Sequence, residues 1–140
     1  MKVLFLCTGN SCRSQMAQGW ANHLGAGSIE ARSAGIEAHG QNPRAVKVMQ
    51  EAGIDISGQE STTLSDAMLE SADYLVTVCG HADENCPALS AGLSKEHWPL
   101  DDPARATGTE EEIMAAFRES CTDIRRRVAD LIARLISNEQ

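Results

Sequence analysis

Val3-Leu4-Phe5-Leu6-Cys7-Thr8-Gly9-Asn10-Ser11-Cys12-Arg13-Ser14 is the stretch on which the reading of this chain turns. Val3–Leu6 is a short apolar run ended by Thr8-Gly9-Asn10, the pattern of a buried strand closed by a turn. From Ser14 to Leu24, the residues Met16, Ala17, Trp20, Ala21 and Leu24 recur at helical spacing, and Gly25 ends the run. A strand, a tight loop and a helix therefore follow one another directly.

Within that loop a thiol at Cys7 and a guanidinium at Arg13 can face each other across a small turn. Gly9 permits a positive φ and Asn10 tolerates one. Successive N–H groups of Thr8, Gly9, Asn10, Ser11, Cys12, Arg13 and Ser14 can then point inward as an anion nest, with the positive end of the following helix behind them. Arg13 can hold two oxygens of a tetrahedral anion with its planar fork. The same donors favour the thiolate of Cys7, and Ser14 is placed to donate its hydroxyl to that sulfur. The expectation is an oxyanion loop with Cys7 as the nucleophile.

Outward from the loop, strands and helices alternate. Ser28 to Arg32 reads as a second strand leading into Ser33-Ala34-Gly35. Asn42-Pro43 starts a helix through Val46 and Met49 that ends at Gly53. Leu64 to Glu70 reads as a short helix, Asp73 to Val78 as the clearest strand, and Glu96 to Leu100 as a weaker one. Residues 81–93 carry Gly, Pro, Ser and Asn and read as loosely structured. Thr109 with Glu112 makes a capping box for a last helix, whose Ile113, Phe117, Cys121, Ile124, Val128, Leu131 and Leu135 form one apolar stripe. This alternation predicts an α/β fold, a parallel sheet with helices on both faces. Cys7, Cys79 and Asp101-Asp102 each fall just past a strand's carboxyl end, so all three are expected on the one sheet edge where such folds bind ligands.

The composition bounds the function. The 140 residues suit a single domain, 1–140, with one core, and the aromatic content of 4% leaves aliphatic side chains to fill it. A net charge of −8 argues against nucleic acid as a partner and makes any anion site depend on local donors. Nothing resembles a signal peptide and no apolar run approaches the ~20 residues that span a bilayer, so a cytoplasmic protein without a membrane partner is expected.

Five cysteines in such a chain point to metal or redox chemistry rather than to a disulfide framework. Cys7 and Cys12 form one pair, Cys79 and Cys86 a second, and Cys121 lies on the last helix's apolar stripe as core. A zinc site from the first four lacks the usual knuckle spacing and would leave Arg13 without a role, and His39, His81 and His97 show no ligand pattern, so no metal site is expected. On one continuous helix, Cα atoms seven residues apart lie about 10 Å from each other. A disulfide requires roughly 7 Å or less. The segment must therefore loop or unwind when Cys79 and Cys86 join. Asp101-Asp102-Pro103 is the expected source of a general acid, since a departing oxyanion oxygen needs a proton. Arg125-Arg126-Arg127 spans most of a helical turn and reads as solvated or ion-paired.

Cys7-x5-Arg13-Ser14, with Ser33-Ala34-Gly35 and Asp102-Pro103, resembles the phosphate-binding loop and flanking motifs of low-molecular-weight protein tyrosine phosphatases. Residues 7–17, 33–40, Glu96-His97-Trp98 and 101–106 resemble more narrowly the thioredoxin-coupled arsenate reductases built on that fold. The resemblance implies a three-layer sandwich with a four-stranded parallel sheet in the order 2-1-3-4, and it assigns the acid role to Asp102. It further implies that Cys7 attacks arsenate and that Cys79 and Cys86 carry the resulting disulfide to thioredoxin. No tightly bound cofactor is implied, a monovalent cation near the loop is admitted, and a monomer is expected. Two other readings stay open: a phosphatase whose second cysteine pair protects Cys7, and a non-catalytic oxyanion-binding redox sensor.

Overall fold

The computed structural model describes residues 1–79 and 94–139. Its parallel sheet has the strand order β2-β1-β3-β4, built from β1 (Lys2–Cys7), β2 (Glu30–Gly35), β3 (Tyr74–Thr77) and β4 (Ser94–His97). The helices are α1 (Arg13–Leu24), α2 (Pro43–Glu51), α3 (Asp66–Ser71) and α4 (Glu110–Glu139), with a 3-10 turn at Pro103–Arg105. The order 2-1-3-4 agrees with the expectation.

Val3 to Cys7 are buried without interruption, so both faces of the central strand β1 are covered. Helix α1 lies against β1 and β2 and pairs with α4, which also packs on α2; α3 lies against β1. Phe5, Leu6, Met16, Leu75, Val76, Phe117, Ile124 and Leu131 are nearly inaccessible and form the heart of the core. Cys121 belongs to it, its Sγ 3.6 Å from Met49 Sδ. Arg126 and Arg127 pair with Asp123, while Arg125 lies over the Trp20 ring at 5.4 Å.

Local chemistry sets the helix starts. Asn42 Oδ1 accepts from Arg44 N–H at 2.9 Å, the expected cap of α2. Thr109 Oγ1 accepts from Glu112 N–H at 3.1 Å, and the Glu112 carboxylate accepts in return from Thr109, the expected box at α4.

All four strands differ from their expected bounds: β1 is one residue longer and β3 one residue shorter at each end, while β2 and β4 shift further. β2 starts at Glu30 rather than Ser28, because Ser28 and Ile29 still donate to Gly25 O in the turn closing α1. It runs on to Gly35 because β1 offers paired positions as far as Cys7. β4 ends at His97 rather than Leu100: Leu100 N–H folds back to Trp98 O at 2.8 Å, a tight turn that stops the ladder. That turn aims residues 100–103 at the end of β1. Among the described residues, no helix is long and apolar enough to cross a membrane.

Candidate functional site

Cys7 is the last residue of β1 and is 3% exposed. Its Sγ lies 3.1 Å from the Asn10 N–H and 2.8 Å from Ser14 Oγ. The turn between them depends on Asn10, which carries φ +48° and is fully buried. The left-handed residue of the loop is therefore Asn10 and not Gly9. Gly9 is required for space instead, since a Cβ there would sit 2.4 Å from His39 Nδ1.

That crowding arises because a second segment lies on the loop. Past the end of β2, the N–H groups of Ile36, Glu37 and His39 donate to the carbonyls of Cys7, Thr8 and Gly9 at 2.9–3.1 Å. Gly35 permits this approach: a Cβ there would stand 2.2 Å from Glu37 O and 2.8 Å from both Asn10 N and Thr8 O. Ser33-Ala34-Gly35 thus serves as the floor of the loop. Ser11 O accepts from Asn42 N–H at 3.1 Å, fastening the far side of the loop to the start of α2.

Arg13 begins α1. Its Nη1 donates to Leu100 O at 3.1 Å and to Val78 O at 3.4 Å, and its Nη2 lies 3.7 Å from Asp102 Oδ2. The guanidinium is thereby oriented by the ends of two other strands. Asp102 caps the Pro103–Arg105 turn, accepting from Ala104 N–H with Oδ1 at 3.0 Å and leaving Oδ2 toward Arg13. Cys12 is buried at the N-cap of α1. Burial, and next the charge of Asp102, push its thiol up to about 11, so it stays protonated at neutral pH.

Cys79, just past β3, is buried, and its Sγ lies 3.1 Å from Thr8 Oγ1. Cys7, Cys12 and Cys79 are all free thiols. A cavity of about 490 Å³ opens over the group, bounded by Cys7, Thr8, Arg13, His39, Cys79 and Asp102. Asp101 also reaches its wall. Cys7, Cys79 and Asp102 therefore meet on one sheet edge, as expected. Cys86 lies outside the described residues, as do Gly80, His81 and Pro87.

Behind the loop the structure adds residues that sequence reasoning passed over. Gln15 is fully buried and bonds to Asn10, Gln41, Gln59 and Glu60. His39 stands at the cavity rim with its Nε2 2.7 Å from Glu37. The signals for Gln15 were its place within the 7–17 stretch and an amide between Ser14 and Met16, at the start of an otherwise apolar helix. No group of three or more His, Cys, Asp or Glu side chains suited to a metal occurs among the described residues. The monovalent cation admitted near the loop is without support.

The site is a strand–loop–helix turn with the Cys7 thiol at its centre, the Arg13 guanidinium and Asp102 carboxylate at its edge, and the Cys79 thiol against Thr8. Residues 2–140 match the family model of the low molecular weight phosphotyrosine protein phosphatases. A protein from Halalkalibacterium halodurans named arsenate reductase is 52% identical over 126 residues, covering 90% of this chain and 91% of that one. A solved structure described as an arsenate reductase in the phosphate binding state superimposes with a TM-score of 0.83 at 38% identity, over 95% of this chain and 97% of the other. A Corynebacterium glutamicum structure described as a thioredoxin-dependent arsenate reductase gives 0.78 at 27% identity, over 99% of this chain and 63% of the other.

Proposed function

The chain belongs to the low molecular weight phosphotyrosine protein phosphatase family, and from that premise we propose that it is an arsenate reductase working through three thiols. The observation that carries the reading is the bond between Thr8 of the oxyanion loop and Cys79. A hydrolase needs one thiol at this place, whereas a reductase needs a second one within reach of the first.

Arsenate, a tetrahedral anion, occupies the nest of N–H groups between Thr8 and Ser14, with Arg13 holding two of its oxygens. Cys7 attacks arsenic, and the As–O bond breaks as Asp102 protonates the leaving oxygen, releasing water. Cys79 as thiolate then attacks Cys7 Sγ. An S–S bond forms, the S–As bond breaks, and its electron pair stays on arsenic, which leaves as arsenite. Two thiols have lost the two electrons that arsenic gains. Cys86 next attacks Cys79, frees Cys7 and moves the disulfide to Cys79–Cys86, which thioredoxin reduces. Thioredoxin as reductant is supported by the Corynebacterium glutamicum neighbour and by the motif resemblance.

The test is arsenite production with thioredoxin, thioredoxin reductase and NADPH. Wild type is expected to turn over repeatedly, Cys7→Ser not at all, and Cys79→Ser and Cys86→Ser no more than once. Repeated turnover of Cys86→Ser at the wild-type rate would overturn the relay. Hydrolysis of an aryl phosphate with no arsenite formed would make the protein a phosphatase.

A further inference from the structure

The orientation of the Asn10 side chain beside Cys7 is determined by groups outside the cavity. Thr62 N–H can only donate, and it lies 2.8 Å from the Asn10 side-chain amide, so the atom facing it is Oδ1. Asn10 Nδ2 then faces Ser14 Oγ at 2.8 Å and donates to it. With that lone pair taken, the Ser14 hydroxyl hydrogen is free to point at Cys7 Sγ. When Cys7 is a thiolate, which can only accept, two donors converge on the sulfur: the Asn10 N–H and the Ser14 O–H.

Gln15 holds Asn10 in this pose. Its Nε2 faces Asn10 O at 3.2 Å, Asn10 Oδ1 at 3.3 Å and Glu60 O at 2.9 Å. Two of these are main-chain carbonyls that only accept, which settles the amide orientation. Its Oε1 accepts from Gln41 Nε2 at 3.2 Å and Gln59 Nε2 at 2.9 Å. Those two amides are oriented in turn by Ile56 O and by Gln15 O. Every amide in the knot has its direction set by the main chain.

We propose that Gln15 is a positioning residue for the Cys7 site, locking Asn10 in its left-handed conformation and directing the Asn10 and Ser14 donors onto the sulfur. The proposal rests on the reading of Cys7 as nucleophile. It does not depend on arsenate being the substrate.

The test compares wild type with Gln15→Met, which removes both sets of bonds, and Gln15→Glu, which keeps the acceptor but sets an oxygen against Asn10 O and Glu60 O. Cys7 alkylation by iodoacetamide near pH 7, read by mass spectrometry, is expected to slow about tenfold in Gln15→Met, the effect of losing one buried hydrogen bond. Gln15→Glu is expected to be slower still. Inorganic phosphate should bind about tenfold more weakly to Gln15→Met by calorimetry. Gln59→Met, which leaves the Gln15–Asn10 bonds in place, should fall between wild type and Gln15→Met, and it answers the question if the Gln15 variants fail to fold. Wild-type alkylation and phosphate binding in a folded Gln15→Met, or in Gln59→Met should the others not fold, overturn the proposal. So does a lowered melting temperature with both site readouts unchanged. If wild-type Cys7 itself is not the preferentially alkylated thiol, the reading of the nucleophile fails instead; if arsenite never forms, only the substrate does.

Discussion

Thr8 Oγ1 and Cys79 Sγ lie 3.1 Å apart although 71 positions separate the residues. The contact joins the loop after β1 to the end of β3, and it exists because parallel pairing of β1 with β3 brings Leu6 opposite Thr77. Two residues further along each chain, just past the strand ends, Thr8 and Cys79 face each other.

Thr8→Val keeps the shape of the side chain but removes this contact. Arsenite release in a single turnover is expected to slow about tenfold, the worth of one net hydrogen bond, while phosphate affinity changes little. Rapid-quench measurement of arsenite against calorimetric phosphate binding separates the two effects. An unchanged release rate would leave the Thr8–Cys79 bond without a role in the second step.

Ser14→Ala removes the hydroxyl 2.8 Å from Cys7 Sγ. A hydrogen bond to a charged group is worth about 1.5–3 kcal/mol, so Cys7 alkylation near neutral pH should slow roughly tenfold to a hundredfold. Peptide mapping of iodoacetamide-treated protein gives the rate for Cys7 alone.

Cys12 is expected to behave differently from its neighbour in the same loop. With its thiol pushed up to about 11, chiefly by burial and then by Asp102, it carries almost no thiolate near pH 8. It should stay unlabelled in the native protein over a time in which Cys7 reacts fully, and become labelled in denaturant. Rapid native labelling of Cys12 would contradict this.

Glu96 ties the edge strand β4 to α4 through Arg134, and it also accepts from Tyr74 and Trp98. Burial opposes its ionisation, but the Arg134, Trp98 and Tyr74 hydrogen bonds outweigh burial and hold the carboxyl below the usual glutamate range. A depressed folded-state pKa adds stability that is present above the unfolded value of about 4.3 and disappears as pH falls through the folded value. Glu96→Gln should therefore be less stable than wild type near pH 7, with the difference shrinking below about pH 4. Urea unfolding of both proteins across that range measures it. A constant difference would mean that the charge contributes nothing.

Much of the fold was legible in short windows. The Thr109–Glu112 box and the Asn42 cap are contacts between residues two or three positions apart, so residue type and spacing suffice to find them. Strand limits were less legible: β2 and β4 end where a partner strand or a backbone turn dictates, and neither leaves a mark in hydropathy. In the loop, two candidates for a positive φ stood side by side. The close packing of His39 on Gly9 and the bonds from Gln15 and Thr62 to Asn10 decided between them.

For the site, the sequence by itself determined the placement: a tight loop from Cys7 to Ser14, with Cys79 and Asp102 past the ends of other strands, and hence the edge on which they gather. That was possible because a strand–loop–helix unit is local and parallel strands present their carboxyl ends together. Only the tertiary structure decided how the Cys7 thiol is held. Gln15 acts through groups at positions 41, 59 and 60, and Gly35 through the loop it lets approach. Hydrogen-bond direction between groups so far apart in sequence exists only once the chain has brought them within about 3 Å.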